Sequence, residues 1–268
     1  MKLLVAGSAE VDAGKTTFTT GLIARTGVRG YKPRAGNGYW YDQDDYRRAV
    51  ETGRLYGKDA KEIAAATPED VRPEEINPVH RLWLPTPGRG KGVLGRDGRR
   101  FLVDRVTLDS DSYVVNGTVE LPPAARRAFP LEDAPAVESI EELNGLMADR
   151  HAPSLEALAE EIDAREAAIV ESYSDIARPL SAFSPDGVAV VEPRRCRIYD
   201  GERYRKACAV ASGSAHEGRL EERVEHVVEL LDPVATVTLP ALSNDERDDP
   251  TVVADAYETA YDELLETV

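Results

Sequence analysis

Short apolar runs separated by longer stretches with helical spacing set the rhythm of this chain. Residues 2–7, Lys-Leu-Leu-Val-Ala-Gly, are apolar on successive positions, as expected of a parallel strand buried on both faces. Phe18, Leu22 and Ile23 then recur at helical spacing and predict a helix over 14–25. A second short strand is expected over 28–33. Residues 34–46, Arg-Ala-Gly-Asn-Gly-Tyr-Trp-Tyr-Asp-Gln-Asp-Asp-Tyr, follow neither period and read as an aromatic, acidic loop. Thr67-Pro68-Glu69-Asp70 has the make-up of a helix start: a hydroxyl cap, a proline in the first turn, then acids at the positive end.

The pattern changes between 82 and 121. Asn116-Gly117 within 113–121 predicts a tight hairpin, and alternation over 100–106 predicts a further strand, so a small antiparallel insertion is expected there. Helices are expected over 138–149 and 154–165, the second capped by Ser154. Apolar runs at 167–171, 187–191 and 234–239 complete the main sheet, with a second hairpin signal at 198–204 around Asp200-Gly201 and a run near 207–211. Apolar stripes predict helices over 217–231 and 250–266. Short apolar strands alternating with amphipathic helices imply an α/β fold: a doubly wound, mostly parallel sheet in one domain spanning 1–268, with the insertion at about 82–121.

Composition narrows the setting. No apolar stretch approaches ~18 residues, so no membrane span is expected. The short N-terminal apolar run leads directly into a strand, not a leader, and the expectation is a soluble, cytoplasmic protein. Cys196 and Cys208 are the two cysteines beside four histidines, too few for a disulfide framework or a cysteine-based zinc site, and both read as small core fillers. Acids outnumber bases 49 to 33, for a net charge of −16, and only seven of the basic residues are Lys beside 26 Arg. Acid excess with few lysines suits a salty cytoplasm, where carboxylates hold water and salt screens their repulsion, so a halophilic source is expected. A nucleic-acid partner is disfavoured, because phosphate binding needs a basic stripe.

The chemistry is concentrated at the first strand–helix junction. Ala9-Glu10-Val11-Asp12-Ala13-Gly14-Lys15-Thr16 has the Walker A spacing, with Ala where Gly is commoner in the first position, and Thr17 follows in the helix. Such a turn points backbone N–H groups inward, and the helix N-terminus adds its dipole. Gly14 would let the backbone approach phosphates, Lys15 would reach β- and γ-oxygens, and Thr16 would offer a hydroxyl to Mg²⁺. The expected ligand is therefore Mg²⁺ with ATP, in a P-loop NTPase. A GTPase would need an Asn-Lys-x-Asp and an Asp-x-x-Gly, and the chain has neither.

Gly30-Tyr31-Lys32-Pro33, some sixteen residues past the turn, is similar to the lysine-proline segment of the dethiobiotin synthetases and related ATP-dependent ligases and amidases. The resemblance covers the first 35 residues and a few around Glu171. It implies that Lys32 helps hold phosphate and a developing acyl-phosphate. In that group a glutamate at the end of a buried strand precedes a Gly-rich segment; here Ala168-Ile169-Val170-Glu171 is followed by Ser172-Tyr173-Ser174-Asp175, so the substrate side must differ. Glu171 is the expected metal-organising or water-positioning acid, Asp175 its alternate, and Glu192 at the end of 187–191 a further candidate. The septum-site and nitrogenase-reductase ATPases place a lysine where Glu10 stands, so a homodimer, though open, would not share that lysine.

On the acceptor side, Tyr39, Trp40 and Tyr41 could stack on a planar substrate or base, with Asp42, Asp44 or Asp45 as metal ligand or general base; packing and solvation are the alternative. Arg194, Arg195 and Arg197 could clamp an anion or pair with the acidic surface. Phosphoryl transfer or ATP-driven activation of a small acid is the expected activity. A small-molecule or nucleotide kinase, or a regulatory ATPase acting through a protein partner, stands beside it.

Overall fold

The computed structural model describes residues 1–8, 14–86, 95–96, 98–211 and 222–268. Its strands are β1 (Lys2–Gly7), β2 (Gly30–Tyr31), β3 (Arg34–Gly38), β4 (Val79–Pro85), β5 (Gly95–Arg96), β6 (Arg99–Thr107), β7 (Asp111–Asn116), β8 (Ala136–Val137), β9 (Ala168–Glu171), β10 (Gly187–Glu192), β11 (Arg195–Asp200) and β12 (Ala235–Thr238). The helices in the first part of the chain are α1 (Lys15–Thr26), α2 (Gln43–Thr52), α3 (Lys58–Ala66), α4 (Pro73–Ile76), α5 (Pro123–Ala128) and α6 (Ile140–Leu146). A π-helical turn at Met147–His151 leads into α7 (Ala152–Ala164), and α8 (Gly201–Ala211), α9 (Val224–Val228), α10 (Asn244–Arg247), α11 (Pro250–Ala256) and α12 (Glu258–Leu265) follow.

The chain is α/β and divides into two units. The first comprises residues 1–33, 62–71 and 159–268, the second 34–61 and 72–158. Each unit has its own mixed sheet. No described helix is long and apolar enough to cross a membrane.

In the first unit the strand order is β12-β11-β10-β1-β9-β2. β1 lies between parallel neighbours, with Val5 opposite Glu171 of β9 on one side and Gly7 opposite Val191 of β10 on the other. Its buried run, Leu3 to Ala6, packs on both faces, which is why it reads as unbroken hydrophobicity. β2 also pairs parallel with β9. The sheet then changes sense: β11 and β12 are antiparallel. Only Pro193 and Arg194 separate β10 from β11, too few for a parallel crossover, and Arg194 takes φ 64° to close the turn.

α1 lays Phe18, Leu22 and Ile23 into this core. Gly21 leaves room for Val253 and Tyr261, whose hydroxyl donates to Phe18 O at 2.9 Å while the Phe18 and Tyr261 rings meet edge-on at 4.7 Å.

The second unit's sheet runs β3-β4-β6-β7-β8, with β5 beside β6. β4, β6 and β7 pair antiparallel, β3 and β8 join parallel at the two edges. The antiparallel strands expected near 82–121 thus sit inside a larger unit. β6 is buried almost throughout from Phe101 to Thr107, not alternately, because both its faces are covered. Tyr46, Leu82, Leu102, Tyr113 and Phe129 form the larger of its cores.

Several local expectations are corrected. The hairpin between β6 and β7 turns at 108–110, whereas Asn116-Gly117 ends β7. There the Asn116 amide donates to Phe101 O at 2.9 Å and its oxygen accepts from Thr118 N at 2.9 Å, an Asx turn in place of a hairpin. Asp200-Gly201 opens α8, Asp200 accepting from Arg203 N at 2.8 Å, and 207–211 belongs to that helix. Thr67 follows α3; its hydroxyl donates to Ile63 O at 3.0 Å and accepts from Gly30 N at 3.2 Å. Ser154 lies within α7 and donates to Thr107 O; the capping serine is Ser139, which accepts from Glu142 N at 3.2 Å. Residues 34–46 are a strand, a turn and the start of α2. Gly36 suits β3 because a Cβ there would lie 2.9 Å from Trp83 Nε1. Of the helix expected over 217–231, 217–221 lie outside the described residues and α9 spans Val224–Val228. The helix over 250–266 is split at Tyr257 into α11 and α12.

Candidate functional site

The order of the first sheet places a crevice before its chemistry is considered. From β1 the chain moves to β2 and β9 on one side, then returns to β10 on the other, so the direction of winding reverses at β1. Ligands of open α/β sheets bind at the carboxyl ends of strands at such a reversal. The side chains that end β1 and β9, and those that open α1, meet there.

Gly14 is the N-cap of α1 with φ 88° and ψ 10°, a left-handed backbone that residues with a Cβ avoid. Lys15, Thr16 and Thr17 form the first turn, whose amides carry the positive end of the helix. Ala9, Glu10, Val11, Asp12 and Ala13 lie outside the described residues. Gly7 supplies a second backbone requirement. A Cβ on it would lie 2.5 Å from Val191 O and 2.9 Å from both Cγ and Cδ of Lys15. The missing side chain lets the Lys15 stem fold back over the end of β1, with Nζ 3.4 Å from Ser8 O.

Glu171 ends β9 and is fully buried. Thr16 Oγ1 donates to its Oε1 at 3.0 Å. Lys32, just past β2 and 2% exposed, donates to the same Oε1 and, at 3.3 Å, to Ser172 O. Glu171 Oε2 is buried without a hydrogen-bond partner among the described residues, and so is Ser8 Oγ one residue past β1. A polar atom left so costs about 1–3 kcal/mol, more when charged, unless a ligand or ion meets it. The arrangement can therefore accept a cation on Oε2. Thr16 uses its proton on Oε1, which leaves its oxygen lone pairs available to that same cation.

The structure joins Lys32, Thr16 and Glu171, three residues separated by up to 155 positions in sequence. Several of the remaining candidates have other partners. Asp175 accepts from Arg223 Nη1 at 3.0 Å and from Ser174 Oγ at 3.2 Å, and its backbone oxygen holds Val224 N. Glu192 takes both Arg197 (2.9 and 3.0 Å) and Arg195 (3.0 Å), so those arginines clamp a neighbouring strand end of the same hairpin. In the second unit, Asp45 accepts from Lys58 N at 2.8 Å and Arg48 at 2.7 Å, and Asp42 accepts from Gly38 N. Tyr39 packs edge-on against Tyr46 at 4.8 Å, whereas Trp40 and Tyr41 are exposed. Asp44 is exposed in the first turn of α2. Cys196 and Cys208 are buried free thiols. Burial pushes both up, Cys208 to about 12 with Glu222 adding to the effect, which removes them as nucleophiles at neutral pH.

A buried charge network in the second unit escaped the sequence reading. Asp104 and Arg105, adjacent on β6, are both fully buried. Asp104 takes a two-pronged contact from Arg81 at 2.6 and 2.5 Å and a third from His151 Nε2 at 2.9 Å. Burial alone would raise its carboxyl; Arg81 and His151 more than offset that and hold it at about 2. Arg105 donates to Leu55 O at 2.7 Å and to Asn77 O at 2.5 Å; burial lowers its guanidinium to about 10. Two opposite charges side by side between the apolar run 101–103 and Val106 were the available signal.

Compared with models of protein families, with curated proteins and with solved structures, the chain matches none.

Proposed function

We propose that the chain binds Mg·ATP at the β1–α1 junction as a P-loop NTPase and turns it over by attack at the γ-phosphate. The observation that carries this reading is the contact of Thr16, in the first turn of α1 directly after Gly14-Lys15, with the buried Glu171–Lys32 pair at the ends of neighbouring strands. Each residue then has a task that its place supports. The first-turn amides and the Lys15 ammonium bind the polyphosphate. Thr16 and Glu171 would hold the magnesium ion; Glu171 Oε2, buried and without a partner among the described residues, is the observation that fits it, and phosphate oxygens and water would complete its coordination. Bound there, the metal would supply charge neutralisation of the transferring phosphoryl group.

Lys32 adds a second cation, held at Glu171 and Ser172 O. Because it is buried, its attraction for a phosphate oxygen is screened little, which suits stabilisation of charge that grows in the transition state. The segment after Glu171, Ser172-Tyr173-Ser174, differs from the Gly-rich stretch of the ligase-like group. A small acid is the acceptor class this reading carries: its carboxylate oxygen attacks the γ-phosphorus, the bond to the β,γ-bridging oxygen breaks, and ADP leaves as the acyl phosphate forms.

The test is equilibrium binding of Mg·ATP followed by phosphate release. Lys15→Ala is expected to weaken binding by about a hundredfold, on the scale of a lost charge-assisted contact, and to abolish turnover while leaving the unfolding transition in place. Unchanged affinity and turnover in Lys15→Ala overturn the reading.

A further inference from the structure

Glu171 and Lys32 form a pair whose side chains are 0% and 3% exposed, and both Lys32 and Thr16 donate to one carboxylate oxygen. Desolvated opposite charges of this kind balance each other, and either alone is strongly unfavourable. A divalent cation drawn to Glu171 would therefore meet a lysine ammonium already in contact with that carboxylate. Two like charges so close in a poorly solvated corner repel strongly. A polyphosphate changes the balance, because its oxygens can take up both the metal and the displaced ammonium.

We infer that Lys32 excludes free divalent cations from Glu171, so that the metal enters as its complex with a nucleoside polyphosphate and not on its own. The inference rests on the nucleotide-site reading above and adds to it an order of assembly and a task for Lys32 that precedes chemistry. The ligand class this selects is a metal–polyphosphate complex. Bare Mg²⁺ and bare Mn²⁺ are rejected. Lys32 is in this respect a positioning residue: it acts through Glu171, and its effect is read in metal binding apart from turnover.

The experiment measures Mn²⁺ binding by electron paramagnetic resonance, with Mn²⁺ alone and with Mn²⁺ plus a non-hydrolysable ATP analogue. In the wild-type chain, Mn²⁺ is expected to bind at least tenfold more tightly with the analogue than without it. Lys32→Met leaves the buried carboxylate without its ammonium and is expected to bind Mn²⁺ alone at least tenfold more tightly than wild type. Lys32→Arg, which keeps the charge, is expected to restore exclusion. Lys32→Met combined with Glu171→Gln is expected to lose the gained site. Equal binding of Mn²⁺ alone by wild type and Lys32→Met overturns the inference. Should Lys32→Met fail to fold, Lys32→Gln takes its place: tighter binding of Mn²⁺ alone than in wild type supports the inference, and equal binding overturns it. Wild-type chain that does not bind the analogue at all instead overturns the nucleotide reading, so the two failures are told apart.

Discussion

Two buried carboxylates show how similar ingredients do different work. Asp104 in the second unit has both oxygens taken: Arg81 grips it with two nitrogens and His151 adds a third contact. Glu171 in the first unit has one oxygen accepting from both Thr16 and Lys32, while the other is buried with no partner among the described residues. A saturated carboxylate is a joint of the fold. One with an orphaned oxygen, beside a helix N-terminus that points positive partial charge at the same corner, is the feature on which the proposed ligand site rests.

The largest effect that would break this comparison belongs to the saturated carboxylate. Asp104→Ala strands Arg81 and His151 beside a buried cavity, and is expected to cost about 3 kcal/mol or more of unfolding free energy. Urea unfolding checks it; a loss below about 1 kcal/mol would show that Asp104 is no joint. A smaller effect follows from pH. The Asp104 pKa is about 2 in the folded chain against an ordinary 3.8, so its stabilisation is fully present above pH 4 and is lost as pH falls through about 2. That displacement corresponds to about 2 kcal/mol. Unfolding midpoints of wild type and Asp104→Asn should therefore converge on acidification from pH 5 toward 2. Parallel curves would assign the acid response to other groups.

The same contrast explains what could be read from the amino-acid order alone. β1, α1 and the Gly14-Lys15-Thr16 junction were legible because they depend on near neighbours: an unbroken apolar run, a 3.6-residue stripe, and a turn whose spacing has a chemical reason. Lys32 and Glu171 were legible as separate candidates, each at a strand end. Their contact was not, since it depends on β9 lying between β1 and β2. The short-range signals that misled share a cause. Asn116-Gly117 and Asp200-Gly201 both resemble hairpin turns, but their side chains bond Phe101 O, Thr118 N and Arg203 N, ending a strand in one place and starting a helix in the other. Asp and Asn serve turns and caps by the same hydrogen bond, and only the partner's position separates the two. Asp104 and Arg105 went unread because burial of charge is decided by what covers both faces of β6.

The measurement that bears most directly on the central claim is a crystal structure with a non-hydrolysable ATP analogue and Mn²⁺, the metal located by its anomalous scattering. The account predicts polyphosphate against the first turn of α1, manganese bound by Thr16 and associated with Glu171, and the Lys32 ammonium moved from Glu171 onto a phosphate oxygen. An analogue bound elsewhere, or a β1–α1 junction without polyphosphate and with Lys32 still on Glu171, would contradict it.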